Sequence, residues 1–320
     1  QLYELATKSK NRYIRAWASY LQGHIHYVWN DLDAAVRHFD KAVSDRYLLH
    51  TAGALDSLVG LALTLQAQGQ PDSAEAMVAL LLEFAQENNN PAFITVARSC
   101  QARLSLMQGD LASAVHWLEI AYLAPDPGVL FFWLEAPHIT QCRILIAQGS
   151  EASLQEAVEK LAAYGKITKA ENNTRQLIDI LLLQSLNYNR QSQSDKALAV
   201  LARAIALAEP GGFIRPFLDL GPEMAEQLVR LSQRSVAPEY VARILAAFRV
   251  SDNGLQTTDE NGTVIGRRMS APASSIVART LARGRLSSPA GDASAGLVEP
   301  LTPRELDVLA LLAQGLTNKE

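Results

Sequence analysis

The chain has 320 residues, 48% of them hydrophobic, and a formal net charge of −4 at pH 7. This length allows two domains or one extended array, and the apolar content is sufficient for a substantial core. The acidic balance argues against non-specific binding of nucleic acid, because phosphate groups attract clustered Lys and Arg. Polar residues interrupt every apolar run well before the ~20 residues of a membrane span, so no membrane contact is predicted.

The cysteines indicate the cellular environment of the chain, and its first residues indicate that it comes from a longer protein. The two cysteines, Cys100 and Cys142, lack the CxxC or Cys/His spacing of a zinc site. We therefore predict no metal ligands and a reducing, cytoplasmic environment. The sequence starts without an initiator Met and without a signal-peptide pattern, so we expect it to begin inside a longer protein.

One helical pattern repeats through the first two thirds of the chain. Ala and Leu recur at helical spacing, and turn signals divide the pattern into segments of about 12 to 20 residues. These features predict an all-α fold. Five similar segments each begin with a turn signal and continue as the second helix of a pair: NDLDAAVRHFDKA, GQPDSAEAMVALL, GDLASAVHWLEIA, GSEASLQEAVEKLAAY and SQSDKALAVLARA.

An alanine anchors each of these segments, at spacings of 39, 40, 43 and 40 residues. Such a period is typical of helical hairpins. A small residue stands upstream of each anchor, at the position on the first helix where the two helices of a pair would make close contact. The anchors are Ala35, Ala74, Ala114, Ala157 and Ala197, and the small residues are Gly23, Ala62, Ala102, Cys142 and Ser185.

The arrangement resembles tetratricopeptide repeats, which have a small residue in the first helix and an Ala/Phe/Ala pattern in the second. Its period is longer than their usual ~34 residues. The resemblance implies a right-handed superhelix, or α-solenoid, of stacked hairpins with about 40 residues per repeat, over residues 1–250. It also implies a concave groove, lined largely by the first helices, that binds a ligand or a protein.

Four polar side chains in adjacent repeats are candidates for ligand contacts in this groove. Arg103 and Arg143 directly follow small residues of the third and fourth repeats, so we expect both to point toward the concave side. Two guanidinium groups at this spacing would suit a carboxylate or phosphate of an inducer. Gln101 and Gln141 directly precede the same small residues. Alternatively, the arginines pair with acids on neighbouring helices, and the glutamines make structural hydrogen bonds.

The composition changes after the repeats. Residues 251–299 are rich in Ser, Gly, Ala and Thr and poor in large apolar residues, which predicts a flexible linker. Helical features return in residues 300–320, where Thr302 is a predicted N-cap and Glu305 completes a capping box. Gly315 ends this helix and another begins directly after it. The pattern is typical of the first part of a helix-turn-helix.

The string LTPRELDVLALLAQGLTNKE closely resembles the start of the DNA-binding domain of LuxR-type regulators. The resemblance assigns the following residues to the DNA-binding scaffold: Thr302, Arg304, Glu305, Asn318 and Lys319. The recognition helix of that domain would follow Glu320. We therefore expect none of the residues present to contact base edges, and we expect DNA binding only from the longer protein.

Together with the repeats and the segment GGFIRPFLDLGPEMAEQL, this ending resembles the C-terminal half of MalT-like, ATP-dependent LuxR-type activators. The resemblance implies an ATP-binding domain before the repeats, and a small-molecule inducer or a regulatory protein that the repeats sense. No G-x-x-x-x-G-K-[ST] motif occurs in this chain, so we predict no cofactor for it. We expect inducer binding to alter self-association and the placement of the DNA-binding element.

Two functions remain open from the sequence. One is the signal-sensing and coupling region of a LuxR-type transcriptional regulator, and the other is a tetratricopeptide-type scaffold for protein–protein interaction unrelated to transcription. We do not expect an enzyme, because the sequence has no G-x-S-x-G motif and no cysteine with a plausible histidine partner. The acids are predicted to lie mostly on exposed helical faces. A complete helix-turn-helix in the longer protein would favour the regulator.

Overall fold

Helices account for every regular element in the part of the chain that the structure describes. That part of the computed structural model comprises residues 11–121, 123 and 134–255. The all-α prediction is confirmed. In chain order the α-helices are α1 (Arg12–Val28), α2 (Leu32–Ser44), α3 (Thr51–Ala67), α4 (Pro71–Glu87), α5 (Pro91–Met107), α6 (Leu111–Ile120), α7 (Pro137–Gln148), α8 (Glu151–Ala170), α9 (Thr174–Arg190), α10 (Ser194–Ala208), α11 (Arg215–Leu218), α12 (Pro222–Ser232) and α13 (Pro238–Leu255).

The first ten helices form the five predicted hairpins, from α1/α2 to α9/α10. In each hairpin the two helices pack against each other. Pro137 is the first residue of α7, where the missing N–H of proline removes no helical hydrogen bond. The helices α11, α12 and α13 follow as a less regular end of the array. The structure is therefore an α-solenoid of helical hairpins, as the repeat pattern predicted.

The aligned positions of the repeat are packing positions. All five anchor alanines and all five small residues of the first helices are buried. A Cβ added at Gly23 of α1 would lie 2.6 Å from the ring of Phe39, and a Cβ added at Gly60 of α3 would lie 2.3 Å from the same ring. Phe39 of α2 is fully buried. Its ring therefore packs directly on the backbones of two first helices.

The turns inside the hairpins share one backbone conformation. Each has a residue in the left-handed region, where φ is positive, and these residues are Asn30, Gly69, Gly109, Gly149 and Ser192. Asp31, Asp110 and Ser150 follow three of them directly, and each accepts a hydrogen bond from a backbone N–H in the first turn of the next helix. The turn signals read from the sequence thus set where one helix ends and the next begins.

The first helices pack side by side and close into a ring. Helix α1 packs on α3, α3 on α5, α5 on α7, α7 on α9 and α9 on the short helix α11. Helix α11 in turn packs on α1. The N–H of Ile214 donates to the carbonyl of Val28 at 2.7 Å, and Trp29 Nε1–H donates to the carbonyl of Gly211 at 2.8 Å. We refer to these six helices as the inner helices.

Apolar packing is concentrated toward the two ends of the array. One large core lies mainly in the first two hairpins and α5, and a second lies mainly in the last two hairpins and the helices after them. Between them, a small cluster consists of Ala102, Ala114, Trp117 and Ile144. The third hairpin is therefore the part of the described array with the least apolar packing of its own.

Several predictions lie outside the described residues. Residues 256–320 contain most of the predicted linker and the whole predicted helix-turn-helix start, and residues 124–133 contain most of the connection before α7. Helix α13 extends to Leu255 and so includes the first residues of the segment that was predicted as linker from Ser251. No helix within the described ranges is long and apolar enough to cross a membrane.

Candidate functional site

Charged and hydroxyl side chains meet where the inner helices face one another. We call this set the inner network, and it consists of Tyr20, Tyr27, Asp56, Ser99, Arg103, Glu135, Thr140, Arg143, Arg175, Asp179, Arg215 and Asp219. These side chains are almost entirely shielded from solvent. The four acids are exceptions to the predicted exposure of carboxylates. Their burial is tolerable because each is hydrogen-bonded or paired with a cation.

Arg103 of α5 connects three separate parts of the chain. Its Nη1 donates to the carbonyl of Leu134 at 2.6 Å and to Glu135 Oε2 at 3.2 Å, and its Nη2 donates to Asp219 Oδ2 at 3.3 Å. The side chain is 4% exposed. Burial acts to lower the pKa of Arg103, but Glu135 and the other acids outweigh it, so the net pKa is raised. The guanidinium is therefore firmly charged.

Asp219, directly after α11, is where the end of the array meets its beginning. Its Oδ2 accepts a hydrogen bond from the hydroxyl of Tyr27 at 2.6 Å, and its Oδ1 accepts one from Arg215 Nε at 2.5 Å. Burial acts to raise the pKa of Asp219, but the charges of Arg215 and Arg103 lower it overall. Arg215 Nη1 also donates to Asn30 Oδ1 at 3.2 Å. Polar contacts as well as helix packing therefore close the ring.

Glu135 lies two residues before α7 and accepts hydrogen bonds from several neighbouring side chains. Its Oε1 accepts hydrogen bonds from the hydroxyls of Ser99 at 2.5 Å and Thr140 at 2.6 Å, while its Oε2 faces Arg103. The Glu135 side chain has no solvent exposure. The backbone N–H of the preceding residue, Leu134, donates to Asp56 Oδ1 at 3.1 Å. This segment thus links α3, α5 and α7 through buried carboxylates.

Two arginines share one carboxylate at α7 and α9. Arg175 Nη1 lies 2.6 Å from Asp179 Oδ1, whereas Arg143 Nη2 lies 3.9 Å from Asp179 Oδ2, which is beyond hydrogen-bonding distance. Burial, and then the charge of Arg103, lower the pKa of Arg143. We call Arg143, Arg175 and Asp179 the cationic corner. Two guanidinium groups face one carboxylate here, so a carboxylate or phosphate of a ligand would pair with Arg143.

His24 of α1 adds no charge to the cationic corner. Burial, and then the charge of Arg175, lower the pKa of His24 to about 3, although Asp179 acts in the opposite direction. The imidazole is therefore neutral at physiological pH.

Comparison with known proteins identifies the array. A family model described as the MalT-like TPR region matches residues 1–234, which is more than half of the chain and includes the whole inner network. The chain belongs to the MalT-like TPR region family. The HTH-type transcriptional regulator MalT of Cronobacter sakazakii (strain ATCC BAA-894) is 28% identical over 224 residues, covering 67% of this chain and 22% of the regulator. The chain thus spans about a fifth of the length of this relative.

In this MalT-like TPR region, two of the four predicted groove residues belong to the inner network. Arg103 and Arg143 lie there, and both face acids of neighbouring inner segments. Gln101 is exposed and Gln141 is partly buried, and neither side chain hydrogen-bonds within the described part of the chain. Each glutamine precedes its arginine by two residues, or about 200° around the helix. The glutamine and arginine side chains therefore point in nearly opposite directions. Ligand binding by all four stays a prediction.

Sequence reasoning missed most of the network in this MalT-like TPR region. Arg175 with Asp179 and Arg215 with Asp219 are Arg–Asp pairs spaced by four residues, which places both partners on one side of a helix. That spacing was a usable signal. Glu135 gave no such signal, because it lies between two hairpins. The predicted DNA-binding scaffold lies outside the described residues: Thr302, Arg304, Glu305, Asn318 and Lys319.

Proposed function

We propose that this chain is the signal-sensing and coupling region of a LuxR-type DNA-binding transcriptional regulator. Membership of the MalT-like TPR region family supports this role, as does similarity to a protein named as an HTH-type transcriptional regulator. The string LTPRELDVLALLAQGLTNKE adds independent support from the end of the chain. A helical repeat region of this family points to a regulatory rather than a catalytic role. DNA binding is proposed for the longer protein.

The cationic corner is the observation that carries the ligand part of this proposal. Arg143 and Arg175 share the single carboxylate of Asp179, and Arg143 lies 3.9 Å from it. An inducer with a carboxylate or phosphate would complete the pairing of both guanidinium groups. A regulatory protein would supply the same chemistry through an Asp or Glu side chain. Arg103 lies close enough for its charge to lower the pKa of Arg143.

Coupling would follow from competition for Arg103. A ligand oxygen that binds this guanidinium competes with Asp219, which also holds Tyr27 of α1 and Arg215 of α11. Loss of the Arg103–Asp219 contact weakens the closure between α1 and α11. The helices α12 and α13, which lead toward the proposed DNA-binding element, then move relative to the first hairpin. A ligand shifts this equilibrium only if it binds the open ring more tightly than the closed one.

The alternative is a tetratricopeptide-type scaffold that binds proteins and has no role in transcription. Exposed apolar side chains on α1, namely Tyr13 and Ile14, favour contact with a protein surface. Trp29, just after α1, is 50% exposed although its ring N–H is hydrogen-bonded. This alternative uses the same fold and differs only in what the longer protein does.

A DNA-binding comparison tests the proposal. Fluorescence anisotropy with duplex DNA would be measured over a salt series for this chain and for a version extended through the native residues after Glu320. Salt-sensitive binding by the extended version alone is the expected result, because only that version has the complete helix-turn-helix. Absence of binding by the extended version, and by the full-length regulator with ATP, would contradict the proposal and favour the scaffold.

A further inference from the structure

A cleft of about 490 Å³ lies between α8 and α10, with α9 as its floor. Its volume falls within the roughly 300–1,000 Å³ that is typical of small-molecule pockets. Leu177 and Leu207 present partly exposed apolar surface to it, and Ile180 and Leu181 close its base. Ile180 and Leu181 are only 0% and 2% exposed, so the apolar surface that is reached from solvent is that of Leu177 and Leu207.

The cleft is distinct from the inner network, although both involve α9. Leu177 and Leu181 follow Arg175 and Asp179 by two positions each, which is about 200° around the helix. Arg175 and Asp179 belong to the cationic corner, whereas Leu177 and Leu181 line the cleft. The two sites therefore lie on opposite faces of α9, and a ligand in one does not contact the other.

Three cations surround the cleft, and no acid lines it. Lys166 and Lys169 stand on α8 and Arg203 stands on α10, all with exposed side chains. Within the part of the chain that the structure describes, none of the three forms an ion pair within 4.0 Å. Lys160, also on α8, does have such a partner, Glu156 at 3.5 Å. The rim therefore carries uncompensated positive charge.

Gly165 keeps the cleft open. It lies in the middle of α8, where alanine would be the better helix former. An added Cβ would lie 3.6 Å from Ile180 Cγ2, an ordinary van der Waals contact. Neither backbone conformation nor close helix packing therefore requires glycine here. The consequence of the missing side chain is a wider cleft along α8.

We propose that this cleft binds a medium-chain carboxylate, an anion with one carboxylate group and a slender apolar chain. The chain packs on Leu177 and Leu207, and the carboxylate pairs with the cations of the rim. From Ala162 to Lys169 the cleft runs along about 10 Å of α8 at 1.5 Å per residue, comparable with an extended eight-carbon chain.

Calorimetric titration of the 320-residue chain with octanoate tests the proposal. We expect saturable binding that weakens as salt is added, because the rim charges are exposed. Two control ligands separate the contributions: 1-octanol has the same chain without the charge, and acetate has the charge without the chain. Both should bind more weakly than octanoate. No saturable octanoate binding, or equal binding of 1-octanol, would overturn the proposal.

Substitutions locate the bound ligand. Gly165→Leu fills the cleft and should abolish octanoate binding while the melting temperature is kept or raised, whereas Gly165→Ala should leave much of the binding intact. Lys166→Gln and Arg203→Gln should each weaken binding about fivefold, the effect expected for an exposed ion pair. Lys160→Gln makes the same change of net charge on α8 outside the cleft and should have little effect. Octanoate binding that survives in folded Gly165→Leu would overturn the proposal.

Discussion

Asp56 differs from the other acids of the inner network in the groups that hold it. Its carboxylate oxygens accept hydrogen bonds from two neutral donors, the Tyr20 hydroxyl at 2.9 Å and the Leu134 N–H at 3.1 Å. Burial raises the pKa of Asp56 to about 6, although these hydrogen bonds act to lower it. Because the folded-state pKa lies above the unfolded one, the folded state binds this proton more tightly. Ionisation between about pH 4 and pH 7 therefore destabilises the fold.

Asp56→Asn should remove this dependence on pH. Asparagine can still accept from the Leu134 N–H, and its amide can donate to the Tyr20 oxygen, so the contacts are largely kept. We expect Asp56→Asn to raise the free energy of unfolding, relative to the unsubstituted chain, by about 1–1.5 kcal/mol more at pH 8 than at pH 5. Urea unfolding at about pH 5 and about pH 8 measures the difference. An equal effect at both pH values would show that Asp56 stays ionised.

Phe39 provides a second prediction at this scale, with a matched control on the same helix. Gly60→Ala places a methyl group 2.3 Å from the Phe39 ring and should destabilise the fold by about 1–3 kcal/mol. At Gly53 of α3 the nearest atom, in Trp17, would be 3.5 Å from the new Cβ. Gly53→Ala should therefore be neutral or stabilising. Thermal unfolding of both variants makes the comparison, and similar losses at the two positions would contradict the packing argument.

At the scale of elements, the turns inside the five hairpins share a backbone conformation although their residues differ. Gly69, Gly109 and Gly149 adopt positive φ without strain, but Ser192 holds φ +60° at the equivalent position before α10. A residue other than glycine in the left-handed region costs about 1–2 kcal/mol of folding free energy. Asparagine adopts this conformation more readily than serine. The fifth hairpin turn is therefore strained relative to the second, third and fourth.

Ser192→Gly should relieve this strain and raise the free energy of unfolding by roughly 1 kcal/mol. Asn172→Gly, at φ +55° in the turn before α9, is the control and should give a smaller gain. Urea denaturation with unchanged slope would show that both effects arise in the folded state. A larger gain at Asn172 than at Ser192 would be inconsistent with the conformational explanation.

The hairpins were predictable from the sequence because their contacts are local. Anchor alanines such as Ala35 and small residues such as Gly23 lie within one repeat, and the structure buries both. The inner network was not predictable in the same way. Arg103 was identified as facing inward, but its partners Glu135 and Asp219 come from an irregular connection and from the segment after the last repeat. The repeat period carries no information about either.

At the scale of the whole molecule, the closure between α1 and α11 joins residues that are far apart in the chain. Tyr27 and Asp219 are separated by 192 positions. Whether α11 reaches α1 depends on the rotations accumulated over all five hairpins, which no single repeat encodes. The closure also pairs buried charges, because Asp219 faces Arg103 and Arg215 together.

Asp219→Asn should destabilise the whole array. Removing one partner leaves two buried arginines undercompensated, which costs about 3–5 kcal/mol. Hydrogen exchange should accelerate in α1 as well as in α11, since both lose their shared contact. Glu223→Gln is the control, because it removes the more exposed ion pair with Arg190 and should cost less than ~1 kcal/mol. Faster exchange confined to α11 would mean that Asp219 does not hold the ring closed.

The hydrogen bond between Ile214 and Val28, which joins the two ends of the array, also limits how the number of repeats can change in evolution. Open solenoids gain and lose repeats readily, since each unit needs only its immediate neighbours. In a closed circle, one additional hairpin would carry α11 past α1 and separate every pair that spans the junction. We therefore expect duplication or deletion of a single repeat to destabilise the fold. We expect homologues that keep the junction residues to keep the same number of hairpins, and to vary in length only in the connections outside the circle.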